Sequence, residues 1–228
     1  MTGRGDGRYR RRVTPLDQQA RIARARREIV EVCRALHARG LIAAQDGNVS
    51  VRVGEDRLLM TPAGARKGHL DEASLVLTDL EGRPVEGAPG SPSSERGLHT
   101  EVYARRPDVG AVVHAHPPCA VAHTIAGVPL EPLMPEVAVE LGDIVTLPYT
   151  SPGTSAVAET LARHLEDRVA LVMSRHGSIT LGPTLAKAYD RLEILEHTAR
   201  ISLMARVLAP GRVEPLPASE LARLLSAH

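Results

Sequence analysis

The stretch Ala111–Pro118 constrains the fold more than any other part of this chain. An apolar run, Ala111–Val113, leads into His114 and His116, and a double proline follows directly. Alternate side chains of a strand point to one face, and proline cannot extend a strand ladder. The pattern therefore predicts a strand that ends with both imidazoles on the same face. They are either ordinary histidines at a strand end or two ligands of an open three-histidine metal site.

A second apolar run, 169–173, is also followed by a histidine. His176 comes three residues after this run and directly before Gly177. Because glycine allows close approaches that a side chain would block, this junction can carry a third imidazole to the first two. Together, His114, His116 and His176 favour the metal site over three unrelated histidines.

The segment Pro92–Glu95 precedes a helical pattern and has two interpretations. Serine and glutamate at a helix start are common capping residues. The same helix start can bind an anion, and the Glu95 carboxylate beside a metal can act as a general acid or base. The local sequence leaves both interpretations open.

Composition excludes several classes of function. The 228 residues contain no Phe, no Trp and four Tyr, and the net charge is +1. The core must therefore consist of Leu, Val, Ile and Ala, and aromatic platforms for nucleic-acid bases are missing. We expect no nucleic-acid partner. No apolar run approaches the ~18 residues of a membrane helix and no signal peptide is evident, so we expect no membrane partner and a cytoplasmic location. Two cysteines do not suggest a disulfide framework.

The pattern along the chain predicts one α/β domain behind a basic tail. Residues 1–12 carry five arginines and one aspartate, a net charge of +5 − 1 = +4. We expect a mobile tail over 1–15 and a single domain over 16–228.

Hydrophobic periodicity predicts three layers, α/β/α, with a central, mostly antiparallel sheet. Helices are expected near 22–36, 93–103, 120–126, 154–165 and 185–208. Hairpins are expected from 49–53 with 58–61 and from 75–79 with 83–86, and further strands at 111–116, 144–147, 169–173 and 178–181. The predicted buried stripe of the last helix is Leu192, Leu195, Ala199, Leu203 and Val207.

Five motifs in order give the chain a resemblance to the class II aldolase/adducin family, over about residues 21–206. Each motif is weak alone, but the series is specific for the superfamily, though not for one reaction. The motifs are Gly47–Arg52, Thr61–Gly64, Ser93–Glu95, His114–Pro117 and His176–Gly177.

The resemblance implies a role for each matching residue. His114, His116 and His176 would be zinc ligands, although imidazole also suits Mn²⁺ or Co²⁺. Glu95 would be the acid/base carboxylate. The substrate phosphate would be held by Asn48, Gly64, Ser93 and Ser94. The family fold agrees with the predicted one, and members are often homotetramers with sites between subunits.

The resemblance also implies a reaction class. We expect a metal-dependent aldolase that cleaves a ketose 1-phosphate to dihydroxyacetone phosphate and an aldehyde through a metal-stabilised enediolate. Alternatives on the same metal site are a decarboxylase of a hydroxy-aromatic acid, a dehydratase of a thioribulose phosphate and a sugar-phosphate epimerase. A non-catalytic adducin-like interaction domain is a further alternative, but such domains tend to lack the histidines.

Two departures from the aldolase pattern concern substrate contacts. Ala63 stands where the aldolase has threonine, and Thr61 or Lys67 could replace that hydroxyl. The aldolase also carries a tyrosine near 135–139 that reaches a neighbouring subunit's site, whereas this chain has none between Tyr103 and Tyr149. A Schiff-base mechanism is not indicated, because neither of the two lysines lies in a sequence context typical of a nucleophile.

Overall fold

A computed structural model describes residues 14–151 and 154–226 of the chain. The described helices are α1 (Pro15–Ala38), α2 (Arg96–Arg105), α3 (Pro118–Ala126), α4 (Pro135–Leu141), α5 (Ser155–Ala162), α6 (Leu185–Leu208) and α7 (Ala218–Ser226). The strands are β1 (Asn48–Arg52), β2 (Leu58–Met60), β3 (Val76–Thr78), β4 (Ala111–Ala115), β5 (Val145–Leu147), β6 (Ala170–Met173) and β7 (Gly177–Gly182). Two short 3₁₀ turns, Lys67–His69 and Glu72–Ser74, lie between β2 and β3.

The described strands form one seven-stranded sheet in the order β3-β2-β1-β4-β7-β6-β5. Five of its neighbouring pairs are antiparallel, and β5 with β6 is parallel. The predicted α/β fold with a central, mostly antiparallel sheet is therefore confirmed. Strand β4 lies at the middle of this order, so the strand that carries His114 is covered on both edges.

The sheet buries both faces, which gives the three predicted layers. On one face, Val49 and Val113 pack with apolar residues of α1, α3 and α6, including Ile29 and Leu192. The opposite face packs against α2 and α5. Its buried residues include Leu98, Val102, Val112, Leu161 and Ile179. Because side chains alternate along a strand, Val112 and His114 share this second face with α2.

The structure corrects parts of the predicted pattern. The final helix spans the predicted 185–208, but its buried residues end at Ser202. Leu203 and Val207 are 44% and 72% exposed, so the predicted buried stripe is wrong for these two. The last turns of the helix extend beyond the core on which its earlier turns pack. Two helices, α4 and α7, were not predicted.

The second arm of the hairpin expected over 75–79 and 83–86 is not a strand. Only one isolated bridge joins Thr78 to Pro84. Proline has no N–H to donate to a ladder, which limits the pairing here.

The N-terminal tail lies mostly outside the described residues, which begin at Thr14. Thr14 caps α1 through a reciprocal pair of hydrogen bonds with Asp17, and Pro15 is the first helical residue. The division into tail and domain stays a prediction. Cys33 and Cys119 are free thiols, and within the described ranges no helix has the length and apolarity to cross a membrane.

Candidate metal centre and active site

Strand β4 and the residue that follows it bring two histidines together. His114 is fully buried, and it pairs in register with Asn48 of the neighbouring β1. His116 follows the strand directly, and Pro117 then takes the N-cap position of α3. The predicted strand end is therefore confirmed to within one residue.

The turn between β6 and β7 brings His176 to the same place. Arg175 adopts a left-handed φ of 57°, which tightens this turn. Gly177 lies so close to β4 that a Cβ there would be 2.4 Å from the carbonyl oxygen of Ala115 and 2.7 Å from Cδ2 of His116. The three imidazole centroids of His114, His116 and His176 are 5.0–5.1 Å apart. One nitrogen from each ring lies within 4.8 Å of the others, as a shared metal ion requires.

In two of the rings, Nδ1 has a partner outside the triad, so Nε2 faces the shared centre. Nδ1 of His114 donates to the carbonyl of Ser178 at 2.8 Å. Nδ1 of His116 lies 3.4 Å from the Asp46 carboxylate. Such outer partners fix the tautomer of metal-binding histidines.

The spacing of these nitrogens fits a divalent ion. The Nε2 atoms of His114 and His116 are 3.2 Å apart. Two nitrogens on a tetrahedral zinc ion would be about 3.3 Å apart, given Zn–N bonds of about 2.0–2.1 Å. Burial, together with the neighbouring histidines, lowers the pKa of His116 to about 4, which favours the neutral, ligating form. The triad thus suits a divalent metal whose identity the donors leave open.

Glu95 turns its side chain into this centre and not back onto its helix. It occupies the N-cap position of α2 but makes no side-chain cap hydrogen bond. Its Oε2 lies 3.2 Å from Nε2 of His114, and its Oε1 lies 3.1 Å from Nε2 of His176. Nδ2 of Asn48 donates to the same Oε2 at 2.9 Å. The capping alternative for the Glu95 side chain is therefore wrong in this structure.

The surroundings of Glu95 hold it as a carboxylate. Burial alone would raise the pKa of Glu95, because an apolar environment disfavours charge. Hydrogen bonds and charge attraction from His114 and His176 outweigh this effect and hold the pKa below its usual range. An ionised carboxylate between two histidines can ligate a metal or move protons beside it.

A cavity of 350 Å³ adjoins the histidines and contains the predicted phosphate-binding residues. Asn48, Gly64, Ser93 and Ser94 all line it. Gly64 has a left-handed φ of 67°, and Ser94 is exposed, whereas Ser93 is buried. The backbone N–H of Glu95 donates to Oγ of Ser93 at 3.3 Å, so this hydroxyl also supports the helix start.

Of the two residues considered as substitutes for the hydroxyl missing at Ala63, one lines the cavity. Oγ1 of Thr61 accepts from the backbone N–H of Val49, and the residue is fully buried. Lys67 lines the cavity, and its Nζ donates to the carbonyls of Gln45 and Ala65 at 2.8 Å. Burial lowers the pKa of Lys67, and the nearby Cys33, Asp46 and Glu95 oppose this shift.

Sequence reasoning missed two neighbours of the site. Asp46, which contacts His116, lies in a loop and carries no spacing signal. The second is His99, which the structure places behind Asn48, with its Nε2 2.5 Å from that residue's Oδ1. Its position one helical turn after Glu95 was the available signal.

Curated relatives cover most of the chain and carry two different activities in their names. The L-fuculose phosphate aldolase of Methanococcus vannielii is 34% identical over 77% of this chain and 94% of its own length. The 3-oxo-tetronate 4-phosphate decarboxylase of Pectobacterium atrosepticum is 30% identical over 88% of this chain and 92% of its own length.

Solved structures give the same relationship. The crystal structure of YgbL from Klebsiella pneumoniae superposes with a TM-score of 0.82 at 30% identity, over 89% of this chain and 98% of that one. In sequence, residues 27–203 match the family described as the class II aldolase and adducin N-terminal domain. With the histidine triad and the sheet in place, the chain belongs to the class II aldolase and adducin N-terminal domain family.

Proposed function

We propose that this protein is a metal-dependent lyase of the aldolase type. It cleaves a ketose 1-phosphate to dihydroxyacetone phosphate and an aldehyde. The observation that carries this proposal is the placement of the Glu95 carboxylate between His114 and His176, next to a polar cavity. Relatives named L-fuculose phosphate aldolase support the substrate class.

His114, His116 and His176 hold the metal in this proposal, and zinc is the expected ion. When bound, a divalent metal supplies Lewis acidity that polarises the carbonyl and hydroxyl oxygens of the substrate. The histidines are neutral ligands, so they leave the charge of the ion uncompensated for this task.

Glu95 moves the proton at the reacting carbon. Aldol cleavage breaks the bond between the carbon next to the carbonyl and the carbinol carbon. The first carbon must gain a proton and the carbinol hydroxyl must lose one. The Glu95 carboxylate accepts the proton that the hydroxyl loses and then, in its acid form, delivers a proton to the carbon, so that the two transfers balance.

The cavity residues bind the phosphate, which does not react. Ser94 and the backbone at Gly64 are open to the cavity, and Asn48 and Ser93 line its floor. Lys67 adds the positive charge that suits a phosphate. Such remote contacts orient the reacting atoms and lower the barrier without taking part in bond breaking.

A decarboxylase of a 3-oxo sugar-acid phosphate is the second candidate. Two observations favour it: the coverage by the Pectobacterium atrosepticum decarboxylase, and the lack of any tyrosine between Tyr103 and Tyr149. Loss of CO₂ also leaves a carbanion that needs a proton, but it releases no aldehyde that a tyrosine would assist. The hydroxy-aromatic decarboxylase, dehydratase and epimerase alternatives stay untested predictions.

One paired assay separates the two candidates. Purified protein loaded with zinc is offered a panel of ketose 1-phosphates, with dihydroxyacetone phosphate as the readout, and 3-oxo-tetronate 4-phosphate, with CO₂ as the readout. Dihydroxyacetone phosphate release supports the aldolase. Release of CO₂ without dihydroxyacetone phosphate supports the second candidate. If neither product is released, both candidates are refuted. A homotetramer, which light scattering would measure, is the expected assembly.

A further inference from the structure

A buried chain of hydrogen bonds leads from Glu95 into the protein. Nδ2 of Asn48 contacts the carboxylate at 2.9 Å, and Oδ1 of the same amide lies 2.5 Å from Nε2 of His99. Nδ1 of His99 lies 2.6 Å from Oγ of Ser50, which in turn lies 2.9 Å from the Tyr103 hydroxyl. His99 and Ser50 are fully buried, and Asn48 and Tyr103 are 3% exposed.

From Glu95 to Ser50, the donors and acceptors fit together in one direction, which the carboxylate sets. The Glu95 carboxylate accepts, so Asn48 must turn its NH₂ group toward it and its carbonyl oxygen toward His99. That oxygen needs a donor, which makes Nε2 of His99 the protonated nitrogen. Nδ1 then accepts from the Ser50 hydroxyl. The Tyr103 hydroxyl donates to the backbone carbonyl of Ser50 at 3.0 Å, and its oxygen also contacts the Ser50 hydroxyl. A reversed Asn48 amide would set its oxygen against the Glu95 carboxylate, which also accepts.

We propose that His99 is a positioning residue: it fixes the orientation of the Asn48 amide, and Asn48 thereby holds the Glu95 carboxylate against the metal centre. This inference rests on the proposed acid/base role of Glu95. His99 itself touches neither the metal ligands nor the substrate cavity in the contacts described for it.

The environment of His99 keeps it neutral, as this role requires. Burial, followed by the charge of His114, lowers the pKa of His99 to about 3. At neutral pH the ring therefore has one N–H and one acceptor nitrogen. An imidazolium would donate from both nitrogens and would force the Ser50 hydroxyl to reverse.

Two polar variants differ in the bond that matters. In His99→Gln, the terminal NH₂ can reach the place of Nε2 and donate to Asn48. In His99→Asn, the shorter amide reaches only the place of Nδ1, so the Ser50 contact can persist while the Asn48 contact is lost. His123 is the matched control, because it is also buried and also makes two hydrogen bonds, to Cys119 and Ser202.

The kinetic expectation is a loss of kcat that glutamine rescues. His99→Asn should lower kcat about 10²-fold with little change in KM, because displacement of a catalytic group by about 1 Å costs this much. His99→Gln should recover most of the loss, and His123→Asn and His123→Gln should resemble the wild type. Equal losses in both His99 variants, or no loss in either, would overturn the proposal.

A second measurement does not depend on activity. Nitrogen-15 NMR of the zinc-loaded protein should show a neutral His99 with its proton on Nε2. The side-chain NH₂ of Asn48 should be protected from hydrogen exchange in the wild type and in His99→Gln, but not in His99→Asn. A proton on Nδ1 refutes the mechanism even if His99→Asn fails to fold. If the wild type turns over none of the substrates, the proposed function fails, whereas these spectra still decide the link between His99 and Asn48.

Discussion

Replacement of Gly177 by alanine should damage the metal centre by crowding it. The new Cβ would lie 2.4 Å from the carbonyl oxygen of Ala115, 2.7 Å from Cδ2 of His116 and 3.1 Å from Cε1 of His114. The first of these atoms belongs to the backbone of the central strand β4 and cannot rotate away. An ordinary van der Waals contact would need about 1 Å more. The strands β4 and β7 would therefore have to separate where the next residue, Ser178, accepts the hydrogen bond that orients His114.

The size of the effect follows from the site. Overpacking of a well-packed core costs about 1–3 kcal/mol. For a chain of this size, each kcal/mol lowers Tm by about 2–4 °C, so Gly177→Ala should lower Tm by about 2–12 °C. Disturbed orientation of a metal-binding histidine costs about 10–100-fold in metal affinity, and the same loss is expected here.

Calorimetry of zinc binding and thermal unfolding, both on metal-free protein, measure these two effects. Gly97→Ala is the control, because its Cβ would meet nothing within 4 Å and it lies within α2. This change should stabilise by about 0.5–1 kcal/mol, since alanine is the better helix former. If Gly177→Ala bound zinc as tightly as wild type at an unchanged Tm, the close packing around His114 and His116 would not be what positions the ligands.

Four further predictions concern the centre and its surroundings. Glu95→Gln should remain folded, metal-loaded and able to bind substrate, while turnover falls about 10²–10⁴-fold; near-normal turnover would leave the proton transfer without a donor. Alanine at any one of the three metal-site histidines should abolish most metal binding, measured by elemental analysis, and most activity, measured by turnover; His164→Ala should change neither. A chelator should inactivate the enzyme, whereas borohydride added with substrate should not; mass spectrometry showing an adduct on either lysine would contradict the metal mechanism. Metal-free protein should lose stability as pH falls from about 6.5 towards 4, because the unfolded chain protonates His99 in this range and the folded protein does so only near pH 3. His99 should lower the free energy of unfolding by about 1 kcal/mol per pH unit. Chemical unfolding of His99→Gln should show a shallower dependence of stability on pH.

The histidine triad could be predicted because its signals are local. The spacing of His114 and His116 matches the strand period, and the prolines stop the strand. Gly177 marks the close approach at His176. Each feature depends on a few neighbouring residues, so one sequence is enough to identify it. The same holds for the last helix, whose bounds follow from the spacing of its apolar residues.

Features that depend on distant partners could not be predicted in this way. The apolar period continues through Leu203 and Val207, but the core ends at Ser202, and no local signal records where a helix leaves its support. Lys67 lies in a glycine-containing loop, yet it is buried because the carbonyls of Gln45 and Ala65 surround its ammonium group. The direction of the Glu95 side chain is likewise decided by strands that follow and precede it in the sequence.

The contacts between α2 and β1 nevertheless have a signal in the spacing of polar residues on each segment. On α2, Tyr103 follows His99 by four residues, as His99 follows Glu95, so all three lie on one face, about 6 Å apart along the axis. On β1, Asn48 and Ser50 are two residues apart, so they share a face at about 6.6–6.8 Å. The axial spacing of these helix residues nearly equals the spacing of the strand residues. A helix that lies along this strand therefore brings polar side chains into contact repeatedly along its length, as the hydrogen bonds show. Double substitutions of a helix residue and the strand residue that it contacts, such as His99 with Asn48 or Tyr103 with Ser50, should therefore show coupling in the free energy of unfolding. The effects of substitutions at Glu95 and Tyr103, which do not contact each other, should be additive.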